Sequence, residues 1–160
     1  MKKWKLFSVI ILCIGVIILS GCKFSKQPEL STPAAKPFVA QIKIMSGSAE
    51  YRTGNSPNFI PATDGTGILV NDRVRSKPDA QVALEFLDGS SLVLLADTEI
   101  EVQSYEVTRQ GDSIVSRIAR VAVVNGDVSG DVRQDLAYPP SVFEIVTAGE
   151  IYTIKGTLTQ

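Results

Sequence analysis

The 160-residue chain contains no histidine, which removes the commonest general base and transition-metal ligand together. Cysteine is nearly missing as well, with Cys13 and Cys22 the only two. Ser-His-Asp and Cys-His nucleophilic catalysis are therefore excluded. No serine stands in a recognisable nucleophile context that would suggest a Ser-Lys arrangement, and no glycine-rich phosphate loop is present. Asp64-Gly65-Thr66-Gly67 and Asp88-Gly89-Ser90 put glycine where an aspartic protease needs its hydroxyl residue, directly after the aspartate. An excess of positive charge is also lacking: 16 basic residues face 17 acidic ones, for a net charge of −1. Nucleic acid, whose binding requires a basic footprint, is not an expected partner. Nor is the longest apolar run, Leu6 to Leu19, as long as the roughly 20 residues a bilayer-spanning helix needs.

That apolar run is nonetheless informative. Met1-Lys2-Lys3-Trp4-Lys5 is basic without an acid, and Leu19-Ser20-Gly21-Cys22 closes the run on small residues. A charged start, an apolar middle and small residues before a cut are the three parts of a secretory signal. Leu19-Ser20-Gly21-Cys22 also resembles the lipobox of bacterial lipoproteins. The resemblance implies recognition by the signal peptidase through Leu19, Ser20 and Gly21, and cleavage before Cys22. It further implies diacylglycerol on the Cys22 thiol and an acyl chain on the new amino terminus. Residues 1–21 are thus expected to be a signal peptide. Lys2, Lys3, Lys5 and Cys13 leave with it, so 13 basic residues remain against 17 acidic ones, a net charge of −4. Cys22 then has no cysteine to pair with, and stability must come from a core alone.

Residues 22–37 carry Pro28, Pro33 and Pro37 among scattered polar residues, without helical or strand periodicity. They are expected to form a semi-extended tether between lipid and domain. About 120 residues follow, enough for one domain to build a core.

From Phe38 the pattern is period-two. Phe38, Ala40, Ile42 and Ile44 share one face with Gln41 and Lys43 on the other, Val82, Leu84 and Phe86 recur likewise, and Ile100 and Val102 alternate with Glu99, Glu101 and Gln103. Such spacing puts every apolar side chain on one sheet face. Asp88-Gly89 and Asn125-Gly126 tolerate positive φ, as tight hairpins require, and Gly111-Asp112, Gly130-Asp131 and Pro139-Pro140 mark further breaks. Strands are expected near 38–45, 47–53, 67–75, 80–87, 90–96, 98–108, 113–124, 127–133, 142–147 and 150–156. Ile114, Ile118 and Val121 offer one weak helical stripe, but the β-branched content of 113–124 favours strand. The expected fold is all-β: one domain, residues 38–160, of many short, mainly antiparallel strands forming a sandwich or rolled sheet.

The order of motifs in this domain resembles the FecR domain, a β-rich extracytoplasmic module of bacteria. The likeness runs from Gly47-Ser48-Ala49-Glu50-Tyr51 through Phe59-Ile60-Pro61-Ala62 to the segment Gly67 to Ser76. It continues through Ala80 to Phe86, Asp88-Gly89-Ser90, Asp97 to Val102 and Val124-Asn125-Gly126-Asp127-Val128. Phe143-Glu144-Ile145-Val146-Thr147 and Lys155-Gly156-Thr157 close it. Ala148 stands in place of the family's proline, Lys155 in place of its arginine, and the chain ends three residues after Thr157. Asp88, Gly89, Ser90, Gly126, Thr147, Gly156 and Thr157 are the motif residues, and each is expected to be architectural.

The resemblance implies an envelope protein without catalytic residues, metal or cofactor beyond the covalent lipid. In classical members this domain receives a signal outside the cell while an anti-sigma region lies within. Five residues before the apolar run leave no room for that region. The favoured expectation is a scaffold or adaptor that binds an envelope protein through an exposed sheet edge or groove. The alternatives are a component of a cell-surface signalling pathway and a glycan-binding module. A glycan would call for an aromatic platform, and Tyr51, Phe59, Tyr105, Tyr138 and Tyr152 are dispersed in sequence. Asp97, Glu99 and Glu101 alternate as cation ligands would, although a solvated outer face explains them better. Lys23 after the lipidated cysteine, in place of a retention aspartate, favours the outer membrane of a Gram-negative cell. In a Gram-positive cell the outer leaflet of the plasma membrane is expected.

Overall fold

A computed structural model describes residues 37–136 and 138–155, and these residues are all-β. Twelve strands form two sheets. They are β1 (Ala40–Ser46), β2 (Ala49–Arg52), β3 (Ile60–Pro61), β4 (Gly67–Ile68), β5 (Arg73–Ser76) and β6 (Gln81–Phe86). Then come β7 (Ser91–Leu94), β8 (Glu99–Gln110), β9 (Ser113–Asn125), β10 (Val128–Asp131), β11 (Val142–Val146) and β12 (Ile151–Lys155). The five-stranded sheet runs β10-β7-β6-β1-β4 and the seven-stranded sheet β12-β11-β9-β8-β5-β2-β3. The architecture is a mainly antiparallel sandwich.

Alternation builds the core between the sheets. Ile42, Val82, Leu84, Leu92 and Leu94 come from the smaller sheet, and Val74, Ile100, Val102, Val121 and Phe143 from the larger one, all fully buried. The outer face of the larger sheet carries cross-strand charge instead. Arg73 grips Glu99 and Glu101 at 3.0 and 2.8 Å, and Glu50 holds both Arg75 and Lys77. Lys77 and Arg75 together keep the Glu50 carboxyl below its usual range.

Turn chemistry accounts for the connections. Gln110 pairs with Ser113 across a two-residue loop whose first position is Gly111 at φ 60°, the preference of a type II′ hairpin. Phe86 N–H bonds Ser90 across Leu87-Asp88-Gly89, with Gly89 at φ 88° in the third position. That is the three-residue hairpin with a left-handed last residue.

Four features differ from the sequence reading. The strand expected over 67–75 is two, because Asn71 adopts φ 72° and the buried Asp72 carboxylate accepts from Leu69 N–H at 2.9 Å and Gly54 N–H at 3.1 Å. The short β3 lies where no strand was expected, paired to β2 through Ile60 and Pro61. Asn125-Gly126 is no hairpin turn, since β9 and β10 belong to different sheets and only Gly126 has positive φ, 84°. A Cβ on Gly126 would lie 2.6 Å from the Thr98 Cα, so this crossing between sheets admits no larger residue without displacement. Finally, β11 runs parallel to β9, after a long connection that returns the chain to the same end of the sheet.

Candidate functional site

Two places concentrate chemistry: a buried polar clasp at the β6–β7 turn, and an open groove where the sheets stop matching.

The clasp centres on Asp88. Its side chain and that of Arg117 are both without exposed surface, and the Arg117 Nη1 lies 2.7 Å from the Asp88 Oδ2. Burying two charges costs several kcal/mol per ion, roughly, unless the remaining hydrogen-bonding capacity is filled. For Asp88 it is. The Ser90 hydroxyl donates to Oδ2 at 2.8 Å, and Ser90 N–H and the Tyr105 hydroxyl approach Oδ1 at 3.3 and 3.2 Å. Arg117 also donates to the Arg133 carbonyl at 2.8 Å, and its guanidinium stands 5.2 Å from the centroid of the Phe143 ring. Among the described residues its Nε and Nη2 have no acceptor, so the ring face carries the rest of that charge. Arg133 closes the set: its N–H donates to the Ser90 hydroxyl at 3.1 Å and its Nη1 to the Asp88 carbonyl at 3.2 Å.

The aromatic floor of the clasp is Phe86, stacked on Tyr105 at 5.6 Å and edge-on to Phe143 at 5.3 Å. Burial pushes the Tyr105 hydroxyl well above the usual phenol range, and the neighbouring Asp88 carboxylate adds to the shift.

The groove lies along β10, β11 and β12, with Ile145 two residues from the Phe143 of the clasp on the same strand. The larger sheet is two strands wider, and on its β11–β12 side the inner face runs past β10, the last strand of the smaller sheet. A groove of about 520 Å³ opens there, lined by Val123, Val128, Ile145 and Ile154, with half-exposed Tyr152 beside them. Gly126 and Thr147 stand at its ends. Thr147 also ties the β11–β12 hairpin, donating its N–H to the Glu150 carbonyl at 2.9 Å.

Among the described residues the outer edge of β10 has its backbone groups free. Leu95 N–H bonds the Asp127 carbonyl, and pairing continues through Ser129↔Val93 and Asp131↔Ser91. In an antiparallel ladder alternate residues face opposite sides, so Val128 and Gly130 turn their N–H and C=O groups away from β7. Among the described residues no strand pairs with that edge.

The structure thus separates the residues singled out from sequence. Asp88, Gly89 and Ser90 belong to the clasp, whereas Gly126 and Thr147 border the groove. Leu19, Ser20, Gly21, Cys22, Gly156 and Thr157 lie outside the described residues. Glu99 and Glu101 are committed to Arg73, and among the described residues no three His, Cys, Asp or Glu side chains gather as metal ligands. None of the five dispersed aromatics stacks on another among the described residues: Phe59 lies 4.0 Å under the Arg75 guanidinium, and Tyr105 is in the clasp. Sequence reading missed Arg117 and Arg133. The one available signal was a charge at an inward position of an alternating strand, Arg117 between Val115 and Ala119.

Searches with the whole chain find no matching family model, no matching curated protein and no matching solved structure.

The clasp generates two expectations. Asp88→Asn leaves the buried guanidinium without a counter-charge and should cost about 3–5 kcal/mol in urea unfolding. Combining it with Arg117→Met should recover part of that loss; a loss under about 1 kcal/mol from Asp88→Asn alone would show the pair to be dispensable. Tyr105, whose pKa is raised on folding, contributes stability that is complete below the unfolded value and declines once pH rises above about 10. Tyr105→Phe should therefore flatten the fall in unfolding free energy above about pH 10. An unchanged slope would contradict this assignment.

Proposed function

We propose that the chain is a lipid-anchored envelope lipoprotein with a FecR-like domain, acting without catalysis as a scaffold or adaptor for another envelope protein. The observation that carries this reading is the pairing of a free strand edge with an aliphatic groove, at β10 and β11–β12. Such an edge supplies affinity through backbone hydrogen bonds and the groove supplies selectivity through side chains. The most buried carboxylate, Asp88, is fully used in holding the fold together, which leaves it unsuited to acid–base work.

The basic start, the apolar run and Leu19-Ser20-Gly21-Cys22 support export and acylation of Cys22. The lipid would keep the acidic β domain outside the cytoplasm, on the outer membrane of a Gram-negative cell or the outer leaflet of a Gram-positive one. The second reading, a part of a surface signalling pathway, rests on the motif order shared with FecR domains. A glycan partner is the least supported, since the stacked aromatics Phe86, Tyr105 and Phe143 are buried in the clasp.

Cys22→Ser should abolish labelling by an alkyne palmitate analogue and move the protein from the membrane to the soluble fraction. Crosslinking in living cells should yield a discrete adduct with an envelope protein in the wild type. Retained label in the variant would refute the anchor. A deletion that altered transcription while the wild type formed no envelope adduct would refute the scaffold.

A further inference from the structure

Among the described residues the two sheets end in four edges, and they are not equivalent. β3 and β4 are two residues long, and β3 carries Pro61, which cannot donate a ladder hydrogen bond. A strand added to β12 would extend the already wider sheet, with no facing sheet to cover its side chains. A strand added to β10 is different. It would lie about 4.8 Å beyond β10 and about 10 Å above the inner face of β12, inside the groove.

The side chains around that position specify what would fit. Val128 points into the groove, and Gly130 shares its face by period-two alternation. At Gly130 a Cβ would meet the Leu92 Cδ2 and lie 2.9 Å from the Ser91 carbonyl oxygen, so Leu92 already covers this position and only glycine fits it. Ser129 and Asp131 project on the opposite face, whereas Asp127, just before the strand, stands among the groove-lining residues; all three are exposed. Neither Asp127 nor Asp131 has an ion-pair partner among the described residues. Residues 37–155 as a whole carry ten basic against sixteen acidic residues, so the field also favours a cationic ligand.

We infer that β10 captures an extended segment of a partner protein with the pattern basic–apolar–polar–apolar–basic, which becomes the sixth strand of the smaller sheet. Its two apolar side chains face inward beside Gly130 and Val128, over Ile145 and Ile154. Its two basic side chains stand against Asp131 on the outer face and Asp127 at the groove, four residues apart. Its backbone pairs with the free N–H and C=O groups of Val128 and Gly130. This rests on the scaffold reading above and names the chemistry of its partner.

The test is an amide NMR titration of the ¹⁵N-labelled full-length protein in detergent micelles. The probe is the peptide acetyl-Lys-Val-Thr-Val-Lys-amide, with Glu-Val-Thr-Val-Glu and Lys-Pro-Thr-Pro-Lys counterparts. The lysine peptide should shift the Val128 and Gly130 amides at concentrations up to about tenfold lower than the glutamate peptide, as two exposed ion pairs allow. The double variant Asp127→Lys, Asp131→Lys should reverse that preference. The proline peptide, lacking both ladder donors, should produce no shift.

Equal response to all three peptides, or shifts centred on β3 or β4, would overturn the inference. So would a response seen only after deletion of residues 156–160, because the chain's own end would then be the occupant. Shifts that follow protein concentration without peptide would make a second copy the occupant, with the same consequence. A partner adduct in cells beside a β10 blind to the lysine peptide would overturn this inference and leave the scaffold reading standing.

Discussion

The buried ion pair between Asp88 and Arg117 is the constraint around which the sandwich is arranged. It joins the β6–β7 turn of one sheet to the middle of β9 in the other, and Arg133 brings in the segment after β10. A charge pair in an apolar core needs its hydrogen-bonding capacity filled, and here the Asp88 carboxylate is saturated while Arg117 relies on Nη1 and the Phe143 ring. That requirement fixes Ser90, Tyr105 and Arg133 in turn, and with them the path of the chain out of β10. Hydrophobic burial supplies the bulk of the stabilisation, as in any core, but it does not specify geometry. The clasp does, because a slip of one residue in β9 would turn Arg117 to solvent and leave Asp88 unpaired.

The unequal width of the sheets is the second constraint, and it leads toward function. With the clasp holding β10 at the margin of the smaller sheet, the inner face of β11 and β12 has no complete cover among the described residues. Most of the remaining boundary is guarded. The outer face of the larger sheet is laced with Arg73, Glu99, Glu101, Glu50 and Arg75, and the far edges are short. Shielding edges with charge, brevity and proline is how β proteins avoid indiscriminate pairing. The β10 edge, beside aliphatic side chains and near two acids, is the edge on which the proposed selective binding rests.

Much of the fold was legible in the sequence because its information is local. Ile42 alternates with Gln41 and Lys43, Val82 and Leu84 recur at period two, and all three are buried. Gly89 and Gly111 sit where hairpins need positive φ, and both have it. What was not legible depends on residues far apart. Asn71 looked like a strand residue because nothing nearby reveals that Asp72 will staple Gly54, eighteen positions away. Asn125-Gly126 has hairpin chemistry, yet contact with Thr98 makes it a crossing between sheets. The parallel pairing of β11 with β9 has no local signature at all. The clasp was half visible: Asp88-Gly89-Ser90 stood out as a turn, while its partner lies 29 residues on, within an ordinary-looking strand. The groove was invisible, since it arises from a count of strands in each sheet.

Both constraints meet in one measurement, residue-resolved amide hydrogen exchange of the unliganded full-length protein. The account predicts slow exchange at Asp88 and Arg133, whose N–H groups donate to the Tyr105 and Ser90 hydroxyls. Along β10 it predicts alternation, with Ser129 and Asp131 protected and Val128 and Gly130 exchanging freely. Uniform protection along β10, or rapid exchange at Asp88 and Arg133, would contradict it.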